Sequence, residues 1–410
     1  MQASHLDTAA AKKRRLLLGQ TAGHYAAFIA LGLLSSVLGP TLPGLAANTG
    51  AALEGISILF TVRSLGYLVG AMQSGLLYDR YPGHPILGGI LALTAVMMVL
   101  VPLPMALWVL IVVFLFIGFA EGLIDVGANT LLLWAHTTNA EPFLNGLHFC
   151  FGIGAFVGPL IVAITLRSNE LSLASYWVLA VLLVPIAIGL FWLPSPAIKS
   201  NSTARASGSI NYPLIMLISV FFMLYVSAEV SFGGWIFSYA DTLNLTDVET
   251  AAYLTSVYWG GLTIGRLLSI PLAARLRPRT ILISDLLGCL LSMSVIVIWP
   301  QSQILLWLGT MGMGLSMASI FPTMLSFAAR RTPITAATTS IFLVGASLGS
   351  MSLPWFIGLR FNIDGPHISM RLILLAVVLC CVLFGIILRF AGKPVLAMQA
   401  EAQPEPNEPT

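Results

Sequence analysis

Glu121, Asp125 and Asn129 recur at four-residue steps inside an otherwise apolar stretch, residues 107–135. Four residues turn a helix by about 400°, so the three side chains share one face. A carboxyl near the centre of a bilayer costs about 2.5–3.5 kcal/mol on insertion scales. Two carboxylates one turn apart also repel each other when both are ionised. A chain that keeps such a stripe at membrane depth is expected to handle a cation or a polar solute there. A third embedded acid, Glu229, falls in 212–240, and Arg63 and Arg266 fall in 55–78 and 250–273. Each acid has two readings: a coupling group for a proton or another cation, or a structural partner of an arginine or a backbone group.

A solute rich in hydroxyls needs amides and carboxylates to bond them, and a flat apolar face for its C–H side. Asn129 is one candidate, and Arg63 and Tyr67 share a face four residues apart. Asn145 and His148 share another, while Trp235 and Trp259 offer indole faces and Gln73 and His24 are pore-lining candidates. An aromatic belt at the membrane interface is the other reading of Trp235, Tyr258 and Trp259. Asp79, Arg80, Arg330 and Arg331 lie at the membrane surface as gate candidates. A helix beginning near Thr335 would present about half a positive charge, so Asp79 is expected to dock there or on Arg330 and Arg331.

The elements that position these groups follow from composition. Hydrophobic residues make up 58% of the 410 and charged residues only 9%, which places the chain in a lipid bilayer. Twelve spans are expected: 16–45, 55–78, 85–104, 107–135, 143–167, 172–193, 212–240, 250–273, 279–299, 303–328, 335–359 and 367–391. The first is too long for a cleaved signal peptide. Lysine and arginine gather in alternate loops, from Lys12 and Lys13 to Arg389 and Lys393, leaving Arg167, Arg360 and Arg371 on the other side. Both termini are therefore expected in the cytoplasm. The net charge of +3 reports this topology, not a nucleic-acid partner. Cys150, Cys289, Cys380 and Cys381 fall inside spans and show neither a disulfide framework nor metal-ligand spacing.

Two halves are legible. Residues 1–193 form a first six-helix unit and 212–393 a second, joined by a Pro/Ser/Gly-rich cytoplasmic linker, 194–211. The tail 394–410 has the composition of a disordered segment. Gly66 and Gly70 recur 195 residues later as Gly261 and Gly265, Gly122 recurs as Gly314, and Gly154 and Gly158 recur as Gly345 and Gly349. A near-constant offset at three helix pairs indicates duplication.

Gly75-Leu-Leu-Tyr-Asp79-Arg80 resembles the cytoplasmic loop signature of the major facilitator superfamily. The runs GPTLPGLA (39–46), ISILFTVRSLGYLVGAMQSGLLYDR (56–80), GLIDVGANTLLL (122–133), LNGLHFCFGIGAFVGP (144–159) and LYVSAEVSFGGWIFSYA (224–240) resemble its branch of bacterial fucose permease and the vertebrate sodium-dependent glucose transporter. The resemblance implies twelve helices in two pseudo-repeat bundles and sugar–cation symport by alternating access. It places Asp125 where the permease has its coupling glutamate. The run Leu38-Gly39-Pro40 lacks the acid that the permease carries in its first helix, so the resemblance favours sodium, held at Asp125 and Glu121, over a proton.

The expectation is thus a hexose–cation symporter working as a monomer, without a cofactor, in a bacterial inner membrane. Gly154-x-x-x-Gly158-Pro159 also resembles part of a drug-antiporter signature, which keeps a proton-coupled exporter of amphipathic molecules as the alternative. A non-transporting receptor on the same fold ranks third. No nucleotide loop or nucleophile–base set with usable spacing supports an enzyme.

Overall fold

A chain in lipid has no water to bond its backbone, and a helix satisfies every peptide group within its own segment. The computed structural model describes residues 2–136, 140–168, 173–197, 211–333 and 335–390. Most of the expected linker, 198–210, and the tail 394–410 lie outside the described residues, as do Lys199, Arg205 and Lys393.

Among the described residues the first half contains α1 (Gln2–Thr49), α2 (Leu53–Ile56), α3 (Ile58–Tyr78), α4 (Gly83–Leu100), α5 (Leu107–Ala135), α6 (Glu141–Ser168) and α7 (Ala174–Trp192). The second contains α8 (Tyr212–Thr242), α9 (Val248–Arg275), α10 (Pro278–Ile298), α11 (Gln303–Met317), α12 (Ile320–Ala329), α13 (Ala336–Asp364) and α14 (His367–Phe390). Helices α2 and α3 form one crossing and α11 and α12 another, giving the expected twelve.

Three details differ from expectation. Helix α1 starts at Gln2, well before residue 16, because nothing in the polar N-terminal stretch breaks a helix. The tenth crossing is broken between Met317 and Ile320. Pro322 explains the break: it lacks the N–H that would bond the Ala318 carbonyl, and its ring crowds that carbonyl. Eleven crossings are apolar enough to be membrane spans by composition, and α9 is not among them. Its middle carries Thr255, Ser256, Tyr258, Trp259, Thr263 and Arg266, groups suited to other helices and a polar cavity rather than lipid.

The repeated glycines make the same crossing twice. A methyl group on Gly66 or Gly70 would collide with the main chain of Leu115 or Phe119 in α5, and one on Gly122 with that of Tyr67. In the second half, Gly265 meets Leu315 of α11, and Gly314 meets the Tyr258 main chain. Gly154 and Gly349 lie equally close to Ile29 of α1 and Met223 of α8. Small residues here let backbones touch, which is how helices pack where no hydrophobic effect drives them together.

One end of the bundle carries Lys12, Arg14, Asp79, Arg80, Arg277 and Arg330; this is the basic end. At the other end the halves are in contact. Thr61 Oγ1 donates to the Met351 carbonyl at 2.8 Å. Gly358 lies against Ser57, and Gly39 against the main chain of Gly233 and Gly234. At the basic end, the stretch after α7 is tied to the first half: the Pro194 carbonyl accepts from Gln20 Nε2 at 2.8 Å and from His84 Nδ1 at 3.0 Å.

Candidate functional site

The α3–α5 crossing builds the core of the site. Gly118 sits against the Arg63 carbonyl and Gly122 against the Tyr67 carbonyl, so α3 and α5 run nearly in backbone contact. Arg63 and Tyr67, one turn apart on α3, therefore face Glu121 and Asp125, one turn apart on α5. Arg63 Nε and Nη2 each donate to a Glu121 carboxylate oxygen at 2.8 Å. This two-pronged pair is the geometry that a planar guanidinium is built for. The pair is secluded, with 15% of the Arg63 side chain exposed and 3% of Glu121.

Asp125 is held differently. Tyr67 donates its hydroxyl to one carboxylate oxygen, and Asn129 Nδ2 donates to the other at 3.1 Å and to the Asp125 carbonyl at 2.9 Å. Among the described residues Asp125 has no ion pair. Its orientation is fixed by neutral donors, with no cationic side chain in contact among the described residues.

Both halves enclose a cavity of about 320 Å³. From the first half come Ser35 and Ser36 of α1, Phe60, Arg63, Ser64 and Tyr67 of α3, Glu121 and Asp125 of α5, and Phe151 of α6. From the second come Glu229 of α8, Trp259 and Arg266 of α9, Phe321 of α12, and Ser347 and Ser350 of α13. Three carboxylates against two guanidiniums leave one negative charge uncompensated when all five are ionised. Trp259 presents an indole whose N–H is buried without a partner. Tyr258 stands behind it, its ring 5.2 Å from the Trp259 ring and its hydroxyl donating to the Glu229 carbonyl at 3.1 Å. A cavity near the lower end of the ~300–1,000 Å³ range of ligand pockets, with scattered polar groups and aromatic walls, suits a small polar solute.

Of the residues singled out from sequence, the structure thus gathers Arg63, Tyr67, Glu121, Asp125, Glu229 and Trp259 around one cavity. Six others are not in its lining. Asn129 acts through Asp125. Trp235 is fully buried, with its indole N–H on the Pro354 carbonyl at 2.9 Å and its ring 4.9 Å from Phe361, so it packs α8 against α13. Asn145 and His148 are exposed on α6, His148 edge-on to Phe28 at 5.7 Å, and Gln73 is exposed on α3. His24, also expected to line the pore, is instead buried against His84, Nε2 to Nε2 at 2.9 Å.

At the gate, the Asp79 and Arg80 side chains are exposed and make no ion pair among the described residues. Arg331 turns to its own half: its guanidinium lies 3.6 Å from the Phe327 ring centre and Nη1 donates to the Phe327 carbonyl at 3.2 Å. Burial, with the nearby charges of Arg330 and Arg279, lowers its pKa. The serines of the cavity, Ser347 and Ser350 above all, went unnoticed in the sequence; their three-residue step on one helix face was the available signal.

Duplicated helical halves around a polar cavity at mid-membrane define a multi-pass membrane transporter. The family model for the Major Facilitator Superfamily matches residues 25–354. The sodium-dependent glucose transporter 1 of Xenopus laevis is 33% identical over 79% of this chain and 72% of its own. Its namesake in Danio rerio is 34% identical over 90% of this chain and 68% of its own. Among solved structures, the nucleoside transporter NupG superposes with a TM-score of 0.70 at 15% identity, covering 92% of this chain and 99% of its own. A bacterial homolog of the human lysosomal transporter Spinster, in an inward-facing and unoccupied conformation, gives 0.71 at 13%, covering 92% and 97%. The chain belongs to the Major Facilitator Superfamily, in the branch of the sodium-dependent glucose transporters.

Proposed function

We propose that this transporter couples the uptake of a monosaccharide to a cation, with Asp125 as the residue that holds the cation. One observation carries the reading: the Asp125 carboxyl is fixed by Tyr67 and Asn129, open to the cavity, and without an ion pair among the described residues. A monovalent cation beside it would cancel the one negative charge left over in the cavity. Glu121 is already paired with Arg63, so it serves to hold the site together and to add negative potential. The relatives named as sodium-dependent glucose transporters support sodium as the cation and a hexose as the solute. Hydroxyls of the sugar have Glu229, Ser347, Ser350 and the free Trp259 N–H to bond, and its C–H face has the Trp259 and Phe151 rings.

With the basic end in the cytoplasm of a bacterial cell, as the loop charges favour, contact at the opposite end makes this an inward-open arrangement. The gate at Asp79, Arg330 and Arg331 would then close in the outward-open state, which fits their present lack of contact. The test is uptake of radiolabelled hexose into proteoliposomes under separately imposed sodium and proton gradients. Accumulation with sodium alone is the expected result; accumulation with neither gradient would remove the proposal.

A further inference from the structure

The two arginines of the cavity differ in what holds them. Arg63 is locked by both prongs of its fork onto Glu121, a neighbour in the same half. When the halves rock against each other, that pair travels as a unit. Arg266 belongs to α9, in the opposite half from Asp125. Among the described residues its side chain has no ion pair and no hydrogen bond; its ring contact is Phe151, with the guanidinium carbon 5.8 Å from the ring centre.

Arg266 nevertheless shares the cavity with Asp125 and Glu229. Asp125 lies one turn from Glu121 toward the basic end, and Arg266 lies two turns from Trp259 in the same direction. Both therefore sit on the side of the cavity that narrows when the basic end closes. The Asp125 carboxylate keeps lone pairs beyond those taken by Tyr67 and Asn129, so it can accept a further donor. An unpaired charge sealed in a low-dielectric cavity is costly, and an empty carrier must seal Asp125 each time it returns outward.

We infer that Arg266 takes the place of the transported cation when the cavity is empty, closing onto Asp125 across the gap between the halves and carrying the empty transporter through its return. The inference rests on the symport reading and names the residue that completes its cycle. With a cation on Asp125, Arg266 is repelled from that position and turns to Glu229 in its own half. Cation and arginine thus compete for one carboxylate, and only one of them occupies it at a time.

Return of the empty carrier is needed for net flux but not for exchange of labelled for unlabelled sugar across a loaded membrane. The experiment compares wild type, Arg266→Gln and Arg266→Lys in proteoliposomes, measuring sodium-driven net uptake and equilibrium exchange of radiolabelled hexose. Arg266→Gln is expected to lose net uptake by about tenfold or more while keeping exchange within about threefold, and Arg266→Lys to keep most of both. Retained exchange certifies a folded carrier. Equal loss of both activities in the glutamine variant, or unchanged net uptake, overturns the inference, as does loss of both in the lysine variant. Wild type that accumulates no sugar with sodium defeats the symport reading instead, and is told apart before any variant is compared.

Discussion

Tyr67 donates its hydroxyl to Asp125 one turn along from the place where Arg63 grips Glu121, so α3 and α5 are joined by two rungs of unlike chemistry. The charged rung neutralises its acid. The tyrosine rung fixes its acid without an ion pair among the described residues, and this difference sets the two carboxyl groups apart.

Replacing Tyr67 by phenylalanine removes the donor and keeps the ring. A hydrogen bond to a charged group is worth about 1.5–3 kcal/mol, so the sodium concentration for half-maximal uptake should rise by about ten- to a hundredfold. Sodium titration of hexose uptake checks this; an unchanged midpoint would mean that Tyr67 does not serve Asp125.

The Arg63–Glu121 rung is expected to matter most for stability. Glu121→Ala leaves a secluded guanidinium unpaired, at a cost of about 3–5 kcal/mol. The double replacement Arg63→Met with Glu121→Leu removes both charges and should recover most of that loss. Thermal unfolding in detergent distinguishes the two; equal destabilisation would show that the pair is not what the fold depends on.

Gly122 tests the crossing that brings the rungs together. A methyl group there strikes the Tyr67 carbonyl, and overpacking typically costs about 1–3 kcal/mol. Gly122→Ala should lower the melting temperature and weaken sodium dependence together, because α3 must move away from α5. Gly189, with open space around it, is the control: Gly189→Ala should do neither.

His136 gives the basic end a pH response. The Thr21 hydroxyl is committed to the Leu17 carbonyl at 2.8 Å, so His136 Nε2 donates to Thr21, at 2.7 Å, while its ring stacks on Phe143. Burial lowers the pKa of His136 below its ordinary 6.5. The unfolded chain therefore takes up a proton there before the folded one, and stability present above pH about 6.5 declines as pH falls through the folded value. The melting temperature should drop on acidification from pH 7.5 to 5.5, and less steeply in His136→Gln. Parallel slopes would exclude His136 as the source.

The polar stripe was legible in the sequence because charge is rare in such a chain, and four-residue spacing places Glu121, Asp125 and Asn129 on one face without further information. The glycine offsets announced the duplicated crossings for a similar reason: only glycine tolerates backbone contact there. Spacing gives a face but not the neighbour it meets, which is why Trp235 read as a solute platform and His24 as a pore group although both are buried in packing contacts. The interruption before Ile320 was available in Pro322, hidden by the apolar run around it. That Arg331 turns to Phe327 and makes no ion pair with Asp79 was not available in the sequence, since spacing along the chain does not say which surfaces of the two halves meet.

The central claim is that the Asp125 carboxylate links sugar movement to the cation gradient. Its most direct test is Asp125→Asn in proteoliposomes, an isosteric change that keeps an acceptor for Tyr67 and removes the charge. Sodium-driven accumulation of hexose should vanish while exchange of hexose down its own gradient persists. Full accumulation by the asparagine variant would contradict the account.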